Sequence, residues 1–315
     1  MTPGPITVGV ALALDALVGE PPRRVHPVAW FGRAVAPLDR EWRRPVLAGA
    51  LAALALPAAA AALAGGFVVV AAGWRPPAGG VLAGGVLFVT TSLRRLLSVA
   101  GGVTAASERD LLRARESLRA LAGRDAGALS AGQVRSAVVE SLAENLADGL
   151  VAPLGAFAAG VAVGGLPPVV ALAPFPPAAL ALGVGAAGAC WVKAVNTMDS
   201  MLGYRSKPVG RAPARLDDAV MWVPARVTAV LLAAVWLAPG APVRARRWLA
   251  DVPSPNSGWP MGTAAAAMDR RLVKPGVYDL NPGGDLPTVA DAERARYRVG
   301  VAGVVAYLLA GVSTL

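Results

Sequence analysis

Charge is scarce in this chain. Of its 315 residues only 16% are Asp, Glu, Lys or Arg, where a soluble domain carries about a quarter. Hydrophobic residues make up 55%, and the mean hydropathy is +0.54. This composition excludes an ordinary water-soluble globular domain. Thiols are scarcer still. Cys190 is the single cysteine, so neither an internal disulfide nor a thiolate cluster for zinc is available. His26 is the single histidine, which excludes a multi-histidine metal site within one chain. No G-x-x-x-x-G-K-[ST] occurs, so an ATP site here is not a P-loop. The first residues lack a basic n-region and a small-residue cleavage site, so a removed signal peptide is not expected.

What is present is a series of apolar runs rich in Ala, Val, Leu and Gly. They cover about 6–18, 46–73, 79–93, 150–166, 177–192, 219–238 and 299–314. Runs approaching twenty residues match the hydrocarbon thickness of a bilayer. The expected fold is all-α: a polytopic helical membrane protein with polar interfacial or cytoplasmic helices and loops, forming one integral membrane domain over 1–315. An amphipathic helical insert is expected over about 94–148, where apolar residues recur at helical spacing among Arg and Glu. The net charge of +10 comes from arginines in loops beside apolar runs. Lipid phosphate and the positive-inside rule account for them, and nucleic acid is not an expected partner. If the four runs between 46 and 192 all cross, the loops 19–45, 94–148 and 193–218 share one side. Segment 239–298 is basic as well, so the run 219–238 either crosses or turns back. The expectation is a multi-pass protein of the cell (inner or plasma) membrane whose polar segments meet on the cytoplasmic side.

Four polar blocks interrupt the runs. The first, residues 15–33, carries Asp15, Glu20 and His26 among three prolines. Pro27 follows His26 and disfavours helix there. His26 can bind a phosphate or carboxylate, move a proton near neutral pH, or fix the loop by hydrogen bonds. The second block, QVRSAVVESLAENLADGLVAPL at 133–154, spaces Glu140, Glu144 and Asp148 four apart, with Asn145 beside them. On a helix that row lies along one face, where like charges repel. Mg²⁺ or basic side chains compensate them, or they form a solvated face. The third block, 193–228, is the densest. It holds Lys193, Asn196, Asp199, Ser200, Tyr204, Arg205, Lys207, Arg215, Asp217, Asp218 and Arg226. Gly203, Pro208, Gly210 and Pro213 are expected to break it into turns. It reads as one wall of a polar site at the membrane surface, or as a solvated connector. Adjacent Asp217 and Asp218 cannot face the same way on a helix. The fourth block contains Asn256, Ser257 and Gly258, a turn able to offer backbone N–H groups to an anion, or an ordinary turn before a short helix. Trp30, Trp191, Trp222 and Trp259 flank the blocks and suit either stacking on a ring or anchoring at a membrane interface.

In order along the chain, several stretches carry a family resemblance. They are DALVGEPP from Asp15, HPV from His26, ESLAENLADG from Glu140, NTMDSMLGY from Asn196, ARLDD from Ala214, Pro224-Ala225-Arg226, and NSG from Asn256. Together they resemble the cobalamin-biosynthesis CobD/CbiB family, the adenosylcobinamide-phosphate synthases, over nearly the whole chain. MWVPAR departs from the pattern at Met221 and Trp222, where a more polar residue is expected before the proline.

The resemblance implies an integral membrane ligase of the corrin pathway. It would join adenosylcobyric acid to (R)-1-amino-2-propanol or its O-phosphate, with ATP as co-substrate, Mg²⁺ as cofactor and the corrinoid as substrate. On that basis Glu140, Glu144, Asp199 and Asp217 are the candidate catalytic residues. Glu140, Glu144, Asp148 and Asp218 are the candidate metal ligands. His26, Asn145, Lys193, Asn196, Ser200, Tyr204, Arg205, Lys207, Arg215, Arg226, Asn256 and Ser257 are candidates for binding substrate and phosphate. Membrane lipid is an expected partner, and a homo-oligomer or a complex with other corrin-pathway enzymes stays open. Two rivals differ in class. A head-group phosphotransferase would show D-G-x-x-A-R, which ADGLVAPL breaks after the glycine. A corrinoid carrier, or a scaffold without catalysis, would show intramembrane acids and broken helices.

Overall fold

The computed structural model describes residues 3–121, 126–171, 174–204 and 206–315. In chain order its helices are α1 (Pro3–Leu17), α2 (Pro27–Val35), α3 (Pro45–Trp74), α4 (Pro76–Thr90), α5 (Leu93–Arg109), α6 (Leu111–Leu118), α7 (Ala131–Leu146) and α8 (Ala152–Gly164). There follow α9 (Pro167–Ala171), α10 (Pro177–Leu202), α11 (Arg211–Val220), α12 (Trp222–Val235), α13 (Ala241–Ala245), α14 (Gly258–Met268) and α15 (Val289–Ser313). Strands β1 (Leu272–Lys274) and β2 (Tyr278–Leu280) form one antiparallel hairpin. Five helical stretches are long and apolar enough to cross a membrane: Pro45–Trp74, Pro76–Arg109, Ala131–Gly164, Pro177–Leu202 and Val289–Ser313. The chain is an all-α, multi-pass membrane protein, as its apolar runs predict.

The boundaries differ from the apolar runs in informative ways. α10 continues ten residues past the run ending at 192, so the polar block that begins at Lys193 starts as helix. α12 has 14 residues, roughly 21 Å at the α-helical rise, against a hydrocarbon core of about 30 Å. The run 219–238 therefore does not supply a span-length helix by itself. Pro213 does not break the chain, because it falls in the first turn of α11, where backbone N–H groups have no helical acceptor. The amphipathic character expected to 148 stops earlier. α7 buries Val134, Ser136, Ala137, Val138, Glu140, Leu142 and Leu146, since small apolar residues surround its polar ones.

The chain packs as two compact units. The first comprises Met1–Ser92, Ala152–Val220 and Ala306–Leu315; the second comprises Leu93–Val151 and Met221–Val305.

In the first unit α10 packs against α3 and α8. Glycine makes the close approach feasible. A methyl on Gly65 of α3 would lie 2.7 Å from the carbonyl oxygen of Gly183, and one on Gly188 would lie 2.7 Å from that of Ala156 on α8. Small residues at such crossings let backbones meet where apolar lipid gives no hydrophobic drive to association. At its polar end α10 joins a core of Val35, Ala53, Met198, Leu202 and Val209, flanked by Phe31, Trp42 and Leu216. That cluster ties α2, α3, α10, α11 and the 203–210 loop together. The loop is gripped by backbone on two sides. A methyl on Gly49 of α3 would overlap the Val209 carbonyl, and one on Gly210 would overlap the Leu202 carbonyl.

In the second unit α7 packs against α5, α14 and β1. The hairpin places Leu272 opposite Leu280, both fully buried. Its turn is Lys274-Pro275-Gly276-Val277, closed by the Val277 N–H to the Lys274 carbonyl at 2.9 Å. Gly276 has φ +73°, the left-handed value that a type II turn requires at its third position, and Pro275 fits the second. Thr288 and Asp291 form a reciprocal cap on α15, with the Thr288 N–H 3.0 Å from Asp291 Oδ2 and the Asp291 N–H 3.2 Å from Thr288 Oγ1.

Gly210→Ala drives a methyl into backbone, so it should cost about 1–3 kcal/mol of stability. Gly85→Ala, which meets nothing within 4 Å, should be neutral or slightly stabilising. Thermal unfolding of both variants in detergent checks the contrast, and equal midpoints would contradict the grip on the loop.

Candidate functional site

The residues singled out in the sequence fall into two groups, one in each unit; Arg205 lies outside the described residues. In the first unit Lys193, Asn196 and Asp199 follow one another at three-residue spacing along α10, which keeps them on one side of the helix. All three are half-buried, and exposed Ser200 follows. The Ser200 hydroxyl donates to the Asn196 carbonyl at 2.9 Å. Gly203 ends the helix, and a methyl there would overlap Asp199 Oδ1, so the carboxylate lies folded over this glycine. Asp218, half-buried on α11, lies within electrostatic range of Asp199. Its neighbour Asp217 is buried, which agrees with the helical argument that the two point apart. Arg215, one turn earlier on α11, is exposed and has no hydrogen-bond or ion-pair partner among the described residues.

His26 and Lys207 of the same unit are held in place by structure. His26 is 7% exposed and caps α2, its Nδ1 accepting the Val28 N–H at 3.2 Å. Its Nε2 stands 3.5 Å from Glu20 Oε1. The tautomer with the proton on Nε2 satisfies both contacts. Lys207 donates to Asp39 Oδ2 at 2.7 Å and sits 5.0 Å from the ring centre of exposed Tyr204. The contact with Asp39 joins the 203–210 loop to the segment after α2, and the contact with Tyr204 lies within the loop.

In the second unit Glu140 is fully buried on α7. The Ser136 hydroxyl donates to its Oε1 at 2.7 Å, and the Tyr278 hydroxyl donates to its Oε2 at 2.6 Å. Ser136 Oγ in turn accepts the Val273 N–H at 2.7 Å. One buried carboxylate thus connects α7 to both hairpin strands. Ser136 and Tyr278 were not singled out in the sequence. The four-residue Ser136–Glu140 spacing was a usable signal for the first; nothing local marks the second. Glu144 and Asp148 are half-buried, and the Asn145 side-chain amide donates to the Ser141 carbonyl at 2.9 Å. The turn carrying Asp148, Ala147–Val151, is π-helical. It takes more residues per turn than an α-helix, so the α-helical period of α7 ends before Asp148. Such turns occur often at functional sites. Among the described residues, no three His, Cys, Asp or Glu side chains stand together as a metal-binding group.

Arg226 is the most constrained cation of this unit. Its guanidinium lies 4.1 Å from the ring centre of Trp222 and 5.1 Å from that of Trp259. Nη1 donates to the Trp222 carbonyl at 2.6 Å and to Asn256 Oδ1 at 3.1 Å. It has no carboxylate partner among the described residues. Two of the four tryptophans flanking the blocks therefore bracket this guanidinium. The Asn256–Ser257 turn is already engaged: both N–H groups point to Ser254 Oγ, at 3.2 and 3.4 Å. The turn leads into α14, so the ordinary-turn alternative describes its local structure. The hairpin carries a second fixed pair, Arg271 and Asp279, with bonds of 2.9 and 2.6 Å in a bidentate arrangement. Hydrogen bonding to Asp279 holds the Arg271 guanidinium above its ordinary pKa, and Asp291 does the same for Arg270.

Tyr278→Phe removes one donor from a fully buried carboxylate, which should cost about 1.5–3 kcal/mol. A lower unfolding midpoint and faster amide exchange across residues 272–280 are the expected readings. An unchanged midpoint would show that Glu140 does not depend on this hydroxyl.

Comparison with known proteins agrees with the blocks. Residues 8–302 match the family described as CobD/Cbib protein. A probable cobalamin biosynthesis protein CobD of Methanothermobacter thermautotrophicus is 34% identical, over 86% of this chain and 84% of that protein. One from Methanothrix thermoacetophila is also 34% identical, over 95% and 93%. The cobalamin biosynthesis protein CobD of Rhodobacter capsulatus is 35% identical, over 94% and 93%. No solved structure matches. With a family match over nearly its full length, and relatives aligned from end to end, the chain belongs to the CobD/CbiB family of cobalamin-biosynthesis proteins.

Proposed function

We propose that this protein forms an amide bond driven by ATP, joining a propionate carboxylate of adenosylcobyric acid to (R)-1-amino-2-propanol or its O-phosphate. A propionate oxygen attacks the γ-phosphorus of ATP, and the bond to the bridging oxygen breaks, giving an acyl phosphate and ADP. The amine nitrogen then attacks the acyl carbon. The bond from carbon to the phosphate oxygen breaks, inorganic phosphate leaves, and the amine proton passes to a base. The product is adenosylcobinamide or its phosphate.

The observation that carries the reading is the pair Asp199 and Asp218 at the polar end of α10. Two half-buried carboxylates within electrostatic range offer a donor set that a cation can bridge. Mg²⁺ is commonly held by one or two carboxylates together with substrate phosphates, which fits this donor set better than a four-acid cage does. Asp199 and Asp218 would hold it; when bound, it supplies neutralisation of the charge on the transferring phosphoryl group. Arg215, exposed on the same helix as Asp218, contacts a phosphate oxygen, and Lys193 and Asn196 orient the substrate along α10. Asp217 is the carboxylate of this unit proposed to take the amine proton. Glu140 serves as a positioning residue, because its oxygens already hold Ser136 and Tyr278. Arg226, fixed between two indoles, is a separate candidate anion contact within the second unit. The proposed seat is the cell membrane, with the polar blocks on the cytoplasmic side.

The test uses the solubilised protein with adenosylcobyric acid, aminopropanol phosphate, Mg²⁺ and ATP, and detects the amide by mass spectrometry. The expected result is product only with ATP. Asp199→Asn and Asp218→Asn should each lower the rate on the order of 100-fold. Gly203→Ala, whose methyl would overlap the Asp199 carboxylate and stand 2.7 Å from its backbone carbonyl oxygen, should lower both the rate and the unfolding midpoint. Corrinoid uptake into vesicles without amide formation would instead establish a carrier.

A further inference from the structure

The elbow where α5 passes into α6 carries a site that the proposed ligase chemistry does not use. An open groove of about 420 Å³ lies there, within the second unit. Its floor is apolar, from Val99, Gly102, Val103 and Ala106 of α5. Its rim is polar, from Arg109 at the end of α5 and Arg113 in the first turn of α6. Neither guanidinium has a hydrogen-bond or ion-pair partner among the described residues. The contrast with Arg115 is direct. Two residues on, its Nε and Nη2 both donate to the Leu129 carbonyl, at 2.8 and 2.6 Å, so that arginine is a structural strut.

The acids nearby do not cancel the rim. Asp110 lines the groove, and its carboxylate caps α6 by accepting the Arg113 N–H at 3.1 Å. Glu108 and Glu116 make no ion pair among the described residues. Two guanidinium groups and one carboxylate leave one positive formal charge on the rim. A phosphodiester carries one negative charge, and its oxygens match the donor geometry of paired arginines. The floor beside them suits an acyl chain, which a free phosphate lacks. Leu112, 70% exposed at the same elbow, adds an apolar side chain facing outward between the two arginines in sequence. A polar helix with arginines on one side and apolar residues on the other is the usual composition for contact with anionic membrane surfaces.

We infer that this groove binds one anionic glycerophospholipid, its phosphodiester between Arg109 and Arg113 and part of an acyl chain along Val99, Val103 and Ala106. The site anchors the polar insert to the bilayer surface.

Native mass spectrometry of the full-length protein, released from detergent with equal phosphatidylglycerol and phosphatidylcholine, tests it. One phosphatidylglycerol should be retained in preference to phosphatidylcholine. The double variant Arg109→Gln/Arg113→Gln should lower that preference roughly 25-fold, about fivefold for each arginine. Ala105→Glu, which adds a carboxylate to the groove lining, should lower it as well, and its unfolding midpoint should stay near the parent's. Equal retention of the two lipids, or an unchanged preference in the double variant, overturns the inference. Displacement of the lipid by excess glycerol phosphate overturns it too, since that outcome marks a site for free phosphate.

Discussion

The first unit depends on a contact between backbones. Gly49 on α3 lies against the carbonyl of Val209, and Gly210 lies against the carbonyl of Leu202. No side chain other than hydrogen fits at either place. The 203–210 loop is thereby pressed onto the polar end of α10, and α11 leaves it in a set direction. That direction puts Asp218 within electrostatic range of Asp199. The packed cluster of Val35, Met198, Leu202 and Val209 holds the polar end of α10 beneath this pair. Helix–helix contact through glycine, the loop grip and the carboxylate pair form one chain of causes.

The second unit relies on a different device. A fully buried carboxylate is costly unless its lone pairs are occupied. Glu140 meets that requirement through Ser136 and Tyr278, and the same bonds fasten a two-stranded hairpin too short to be stable alone. Leu272 and Leu280 beneath the hairpin supply the apolar part of that attachment. The hairpin in turn carries Arg271 and Asp279. Arg226 is fixed by aromatic faces, with no carboxylate partner among the described residues.

Much of this was legible in the sequence because it rests on local rules. Apolar runs gave the membrane helices. The proline after His26 gave an extended residue, and the structure adds that it caps α2. The cross-chain contacts were not legible. Tyr278 reaches Glu140 from 138 residues away, and Lys207 reaches Asp39 from 168. No spacing rule connects such positions. The polar block at 193 concealed its helix, because a spanning helix can end in polar turns without a change of period. Nothing in the sequence marked the change of period at Asp148, where the backbone turns from α to π.

The central claim is that the carboxylate of the corrinoid is activated by phosphoryl transfer before the amine attacks. The most direct measurement follows oxygen. Adenosylcobyric acid labelled with ¹⁸O in the reacting carboxylate would be turned over with ATP and the amine, and the released phosphate analysed by mass spectrometry. An acyl phosphate requires one ¹⁸O atom to leave in inorganic phosphate. Label found in AMP, or absent from every phosphate product, would contradict the account.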